Sequence, residues 1–402
     1  MRTLTIALAL LTSIPAFAQT KSKITFDEFF NSVSFSALEL SPDGNSVVIG
    51  TERADWDKQI FRKDLWLYRV DGQSGSLLQL TQSGHDTDPK WSPDGKWIAF
   101  LSDRKTEKDS SDDSGDDDAD NNEDVDQIYL ISPSGGEAFP ITDGAEEVHD
   151  FAWSADSKTL YYATRNPWTK AQKDEYRKEW KDVEQYRTAE RGDTIFDLTL
   201  DTALAHHRSA PAKTKNESDS DKESDLTAGA RAIATSPWRM DELVTSPDGT
   251  KLALMANPIN RREEKYEDYE IYLLDLANGQ TTVSDRLAQP RRITHNQAVE
   301  NDLQWASDSR HLLFRIDVGD VTGPYRDLQP HLYSVDTASG SVEQWAKEFG
   351  GPVDHYVVTA DGILSSARLG TEVQMYSDSA ASQPFHKISN WKGTFEDLSI
   401  EK

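Results

Sequence analysis

Cysteine is absent from the 402 residues, which removes disulfides, a thiolate nucleophile and thiolate metal ligands together. Basic side chains are scarce beside acidic ones: 43 Lys and Arg face 70 Asp and Glu, a formal charge of −27. A polyanion of that size repels phosphate backbones and anionic lipid, so nucleic acid and membrane surfaces are poor partners. Long apolar runs are also missing: beyond Ile14 no stretch approaches the ~18 residues of a spanning helix. Aromatic residues, by contrast, are plentiful. With 11 Trp, 13 Tyr and 14 Phe the chain has far more core-forming side chains than a disordered polypeptide.

The first residues read as an address. Met1-Arg2 is a positive start, Ile6 to Ile14 a short apolar run, and Ala16-Phe17-Ala18 a small-x-small cleavage site. We therefore expect a signal peptide over 1–18 and a mature domain over 19–402, periplasmic or secreted. A retained N-terminal anchor is the alternative, disfavoured by the cleavage site and by the shortness of the run.

A repeat runs through the rest. Ser41-Pro42-Asp43-Gly44 recurs as Ser92-Pro93-Asp94-Gly95 and Ser246-Pro247-Asp248-Gly249, with degenerate copies at Ser154–Ser157, Ser307–Ser309 and Thr359–Gly362. Aligned on the aspartate, the steps are 51, 62, 92, 60 and 53 residues. Pro presets φ for a type I turn and Gly suits the left-handed exit. An alternating run precedes each turn, as in Phe151–Trp153, and another follows it, as in Trp97–Phe100. A third run follows further on (Asp64–Tyr68, Gln127–Leu130, Glu270–Leu274, His331–Val335) and a fourth after that (Leu78–Thr81, Phe139–Thr142, Arg292–Thr294). Four antiparallel strands per repeat define the blade of a β-propeller, here an all-β fold of six to seven TolB-like units. A β-sandwich is the alternative, and a periodic four-run pattern does not suit it.

The last residues, Gly393 to Lys402, resemble the first strand of another repeat, without its turn. A propeller must close its last blade on its first, so we expect a fragment; the alternative is a closure strand completing an earlier blade. Two insertions interrupt the rhythm. Residues 105–126 form an acidic block read as a solvated loop; its spacing does not fit a calcium loop. Residues 166–235 are read as a charged insertion in which Tyr176, Trp180 and Val183 mark a short amphipathic helix or a loop packed on the rim. Within it, 207–229 is read as linker.

The segment Thr25-Phe-Asp-Glu-Phe-Phe through Leu40-Ser-Pro-Asp-Gly44, with Asp88–Arg104, Gly135–Asp143 and Trp180–Arg187, resembles the propeller of prolyl oligopeptidase-family serine peptidases, in the acylaminoacyl-peptidase and dipeptidyl-peptidase-5-like branch. The resemblance spans roughly residues 24 to 402. It implies a propeller that covers an active site and restricts access to short or unstructured peptides, with catalysis in an α/β-hydrolase domain. No serine here has glycine at both −2 and +2, as a nucleophile elbow requires; Gly72-Gln-Ser-Gly75 comes nearest.

No catalytic, cofactor-binding or metal-binding residue is therefore assigned, and no cofactor is expected. His206-His207, read as extended, would point to opposite faces and share a metal poorly. His85, His149 and His295 are read as structural hydrogen-bonding residues. Glu146-Glu147 invite comparison with glutamates that hold a substrate amino terminus, but lie in an inter-blade link. Trp91, Trp153 and Trp305 occupy equivalent positions and are read as inter-blade core. The reading is a non-catalytic, substrate-gating propeller portion of an exported peptidase, inactive alone. Its partners would be peptide substrates or a protein at the funnel or rim, and a hydrolase domain where the full-length protein supplies one. The alternative is a stand-alone TolB-like periplasmic scaffold binding a protein partner; a propeller enzyme with its own axial site lacks a convergent acid, base or metal set.

Overall fold

A computed structural model describes residues 23–70, 75–104, 125–144, 146–180, 191–209, 227–257, 269–276, 287–320, 329–392 and 398–399. Its 24 strands fall into six four-stranded antiparallel sheets, each in chain order from one edge to the other. Blade 1 spans Ser34 to Gln79, blade 2 Asp86 to Pro140, blade 3 Val148 to Ser236, blade 4 Arg239 to Arg292, blade 5 Gln297 to Gln344 and blade 6 Val353 to Lys387. The expected β-propeller is present, with six complete blades.

The repeated turn explains the register. The Ser41, Ser92, Ser154 and Ser246 hydroxyls donate to the aspartate two residues on, at 2.6–2.8 Å. Each also accepts the N–H five residues on, at 2.9–3.0 Å. The same aspartates accept a backbone N–H from Asn45, Lys96, Lys158 and Thr250. Gly44, Gly95 and Gly249 take the left-handed exit at φ near 70°, and Ser157 and Ser309 do so in the degenerate copies. Blade 6 differs. Thr359 pairs directly with Gly362, so that turn is a two-residue hairpin and not a copy of the Ser-Pro-Asp-Gly turn.

A second repeated device anchors the outer edge. The Thr81, Thr142 and Thr294 hydroxyls and that of Ser389 accept the N–H of Leu65, Ile128, Ile271 and Met375 at 2.8–2.9 Å. The fourth strand is thereby held even where only two residues pair, as at Phe139–Pro140 and Arg291–Arg292.

Apolar clusters join blade 1 to 2, 2 to 3, 3 to 4, 4 to 5 and 5 to 6. Trp91, Trp153 and Trp305 each close such a junction, donating their indole N–H to the carbonyls of Glu39, Lys90 and Val244 in the preceding blade at 3.0–3.2 Å.

The insertion over 166–235 is smaller than the sequence suggests. Asp193–Thr199 and Arg231–Ser236 inside it are the third and fourth strands of blade 3. After the short helix α1 (Phe26–Phe30) near the start, helix α2 (Lys170–Trp180) sits before these strands and α3 (Leu200–Ser209) between them. Charged flanks hide the alternation of Thr194-Ile-Phe-Asp-Leu198. Tyr176 packs on Trp168 with centroids 4.8 Å apart, while Val183 lies outside the described residues. The start of the 207–229 linker belongs to α3, and 210–226 lies outside the described residues, as does most of the acidic block, 105–124.

Candidate functional site

The first strand of every blade is an edge strand, and first strands of neighbouring blades bond directly to one another. They therefore line the axis. Each breaks register: at Phe35/Ala37, Thr87/Lys90, opposite Ala163/Thr164, Asp241/Val244 and Val353/His355, and twice in blade 5, at Val299/Glu300 and Asn301/Gln304. A bulge re-aims the side chains beside it. In blades 2, 4 and 5 the irregularity places an acidic residue in the left-handed region: Asp88, Glu242 and Asp302 at φ 48°, 49° and 57°.

These carboxylates meet others from adjoining blades. Lys90 Nζ bonds to Asp150, lies 3.1 Å from Asp88 and donates to the Phe151 carbonyl at 2.8 Å. Asp150 Oδ2 accepts the Leu243 N–H at 2.5 Å and Glu242 Oε2 accepts the Leu303 N–H at 3.1 Å. Gln304 accepts the Val358 N–H at 3.1 Å and donates to the Tyr356 carbonyl at 2.9 Å, and the Tyr356 hydroxyl donates to the Asp302 carbonyl. Arg315 donates to the Asp354 carbonyl and pairs with Asp317 at 3.2 Å.

Acids outnumber bases here, and the acids are shifted accordingly. Burial, with Asp302, Asp241 and Asp150 nearby, raises Glu242 to about 8. Burial likewise raises Asp150 to about 7 against the pull of Lys90. Lys90 is half-buried, and Asp150 and Asp88 more than offset the cost of desolvating it and hold it protonated. Asp126, half-buried and beside Asp103 and Glu147, is raised to about 6, chiefly by desolvation. A site with more acids than bases attracts cationic groups such as a peptide α-amine, and does so more strongly as its raised acids lose their protons with rising pH.

The sequence-selected residues fall elsewhere or are already engaged. Glu146 is paired with Arg191 at 2.5 Å and Glu147 lies 3.9 Å from Arg239, so Glu146 is not poised to take an amine. His85 Nδ1 faces Asp103 at 2.8 Å, and buried His149 faces Asp193 at 2.6 Å. The same Asp193 oxygen accepts the Met240 N–H of blade 4 at 2.7 Å; His149 is part of a blade clamp. His295 is exposed. His206 and His207 are helical, not extended as expected, and His207 stacks on Phe139 with centroids 4.0 Å apart. Among the described residues no group of three or more acidic or imidazole side chains is placed to hold a metal ion. The axial acids were missed in sequence because they sit in strands of unremarkable composition; their shared signal is an acidic residue four or five positions before the turn serine (Asp88, Asp150, Glu242, Asp302).

No family model matches the chain. A 140-residue stretch is 29 % identical to an uncharacterized peptidase, YuxL, of Bacillus subtilis (strain 168), covering 35 % of this chain and 19 % of that protein. Among solved structures, puromycin hydrolase matches at 15 % identity and a TM-score of 0.59, over 94 % of this chain and 50 % of that one. An acylaminoacyl peptidase from Pyrococcus horikoshii matches at 14 % identity and a TM-score of 0.55, over 92 % and 48 %. The chain is thus a six-bladed β-propeller matching the propeller domains of prolyl oligopeptidase-family peptidases. It spans about half the length of these two solved chains.

Proposed function

We propose that this chain is the substrate-gating, non-catalytic propeller portion of an exported prolyl oligopeptidase-family serine peptidase, with peptide hydrolysis carried out by a hydrolase domain outside these 402 residues. The observation that carries the reading is the acidic axis, lined by first strands, on a fold shared with peptidase propellers over more than nine-tenths of the chain. The stretch similar to a Bacillus peptidase supports it. Export rests on the signal-like residues 1–18. The gate works by charge: the acidic side chains along the axis favour free amino termini and basic side chains.

Purified 19–402 is expected to leave acyl-peptide and dipeptidyl chromogenic substrates intact. The reading frame beyond codon 402 is expected to encode a G-x-S-x-G serine in an α/β-hydrolase domain. Turnover by 19–402 that a serine-directed inhibitor abolishes would overturn the non-catalytic role. A stop codon directly after Lys402 would overturn the peptidase reading and favour a free-standing binding scaffold.

A further inference from the structure

The junction between blades 4 and 5 carries a pair of buried acids around an anchoring threonine. The Thr294 hydroxyl accepts the Ile271 N–H at 2.9 Å and donates to Glu300 Oε2 at 2.7 Å. Glu270, the residue before Ile271, accepts the Asn296 N–H at 2.9 Å, and the Asn296 amide lies 2.6 Å from Glu300 Oε1. Both glutamates are fully buried. Between blades 1 and 2, buried Asp64 and Asp86 hold the same two places around Thr81, which accepts the Leu65 N–H.

The two junctions differ in their bases. In the first, each acid has an arginine: Arg62 lies 3.6 Å from Asp64, and Arg104 bonds to Asp86. In the second, Arg292 reaches Glu270 at 2.5 Å, and among the described residues no base pairs with Glu300. The register shows why. Asp86 pairs with Ser102, two residues before Arg104; Glu300 pairs with Ile316, two residues before Val318. Val318 stands where the second arginine would. Of the other ionisable groups nearby, His331 follows Ile316 in the same cross-strand row. Arg315 and Asp317 alternate to the other face of that strand and pair at 3.2 Å, and His295 is exposed.

A buried carboxylate without a cation is costly, and taking up a proton removes that cost. We propose that a proton replaces the missing arginine: Glu300 is an uncharged carboxylic acid in neutral solution, and its ionisation releases the latch that Thr294 and Asn296 form between blades 4 and 5. Burial and the neighbouring Glu270 raise Glu300 to about 8, which sets the window. An asparagine amide carries an acceptor at one end and donors at the other, so Asn296, turned over, receives the acid proton on Oδ1. In alkaline solution the junction holds two negative charges against one arginine, and it loosens. Glu300 lies two residues before Asp302, so the release reaches a strand that lines the axis.

Two readouts test the latch in the 402-residue chain. The carboxyl carbon of Glu300, assigned in carbon-13 spectra by its loss in Glu300→Gln, is expected to titrate above pH 7. The hydrogen-exchange protection factor of the Ile271 N–H is expected to fall about tenfold between pH 7 and pH 9. In Glu300→Gln, uncharged throughout, it should stay level. Val318→Arg supplies the absent base and is expected to lower the Glu300 titration by about one unit or more and to keep Ile271 protected at pH 9. A Glu300 carbon that titrates below pH 6 overturns the proposal, as does a loss of protection that persists in Glu300→Gln. A folded Val318→Arg protein whose Glu300 titrates as before overturns the exchange of arginine for proton. If that variant does not fold, the first two measurements decide alone.

Discussion

The backbone N–H of Asp94 donates to the hydroxyl of Ser157 at 2.9 Å, tying the turn of blade 2 to the turn of blade 3. Asp248 and Ser309 repeat the bond between blades 4 and 5 at 3.0 Å. In sequence Ser157 and Ser309 look like failed glycines. They hold the left-handed conformation at φ 63° and 55° because a glycine there has no hydroxyl to offer.

Ser157→Ala keeps the backbone strain and loses the bond, so it is expected to destabilise the domain by about 1 kcal/mol. Ser157→Gly loses the same bond but relieves roughly 1 kcal/mol of left-handed strain, and should fall near zero. Urea unfolding of the two variants gives the order; an alanine variant as stable as the glycine one contradicts the role assigned to the hydroxyl.

Stability is expected to fall as the solution is made alkaline. Burial raises Glu242 to about 8, and burial together with Glu270 raises Glu300 to about 8. An acid whose folded pKa lies above its unfolded one favours folding fully below the unfolded value, near 4.5. That contribution is lost as pH rises to the folded value. Thermal melts between pH 5 and pH 9 should decline across this window. Glu242→Gln and Glu300→Gln should each flatten the decline, and an unchanged slope in both would refute the assignment.

Lys90→Met removes the cation shared by Asp88, Asp150 and the Phe151 carbonyl. Leaving a buried carboxylate without its partner costs about 3 kcal/mol. The double variant with Asp150→Asn is expected to be less damaged than the two single changes summed. A chemical-denaturation double-mutant cycle measures the coupling, and additivity would show that the two groups act independently.

The axial carboxylates should discriminate ligands by charge. Peptides with a free amino terminus and basic residues are expected to bind several-fold tighter than acetylated or acidic ones. The preference should shrink with added salt, because exposed charges are screened within about 8 Å at physiological ionic strength. Asp88→Asn with Asp302→Asn should reduce it further. Fluorescence anisotropy reads the preference directly, and equal affinities at low salt would show that charge at the axis does not select ligands.

Much of the fold is written locally. The serine–aspartate turns and the runs beside them specify hairpins within about twenty residues, so the blades can be read in order. Blade 3 shows the limit. Its third strand, Asp193–Thr199, pairs across an intervening helix and lies among charged flanks, so no local signal isolates it. The hairpin at Thr359 and Gly362 shows another, since the same residue types close a shorter turn when the strand pairs one step further on. The axis was the least legible part. Glu242 and Leu303, or Asp150 and Leu243, meet only because consecutive blades stand side by side, and that proximity has no signature in either strand.

Around the centre, backbone and indole N–H donors from Trp91, Trp153, Leu243, Leu303, Trp305 and Val358 all point back to the preceding unit. Contacts of this kind are heterologous, head to tail, and each senses only its immediate neighbour. No single contact encodes how many units the circle holds; that number follows from the wedge angle accumulated around it. Genes for such a protein can gain or lose a module by recombination without any surviving junction having to be reinvented.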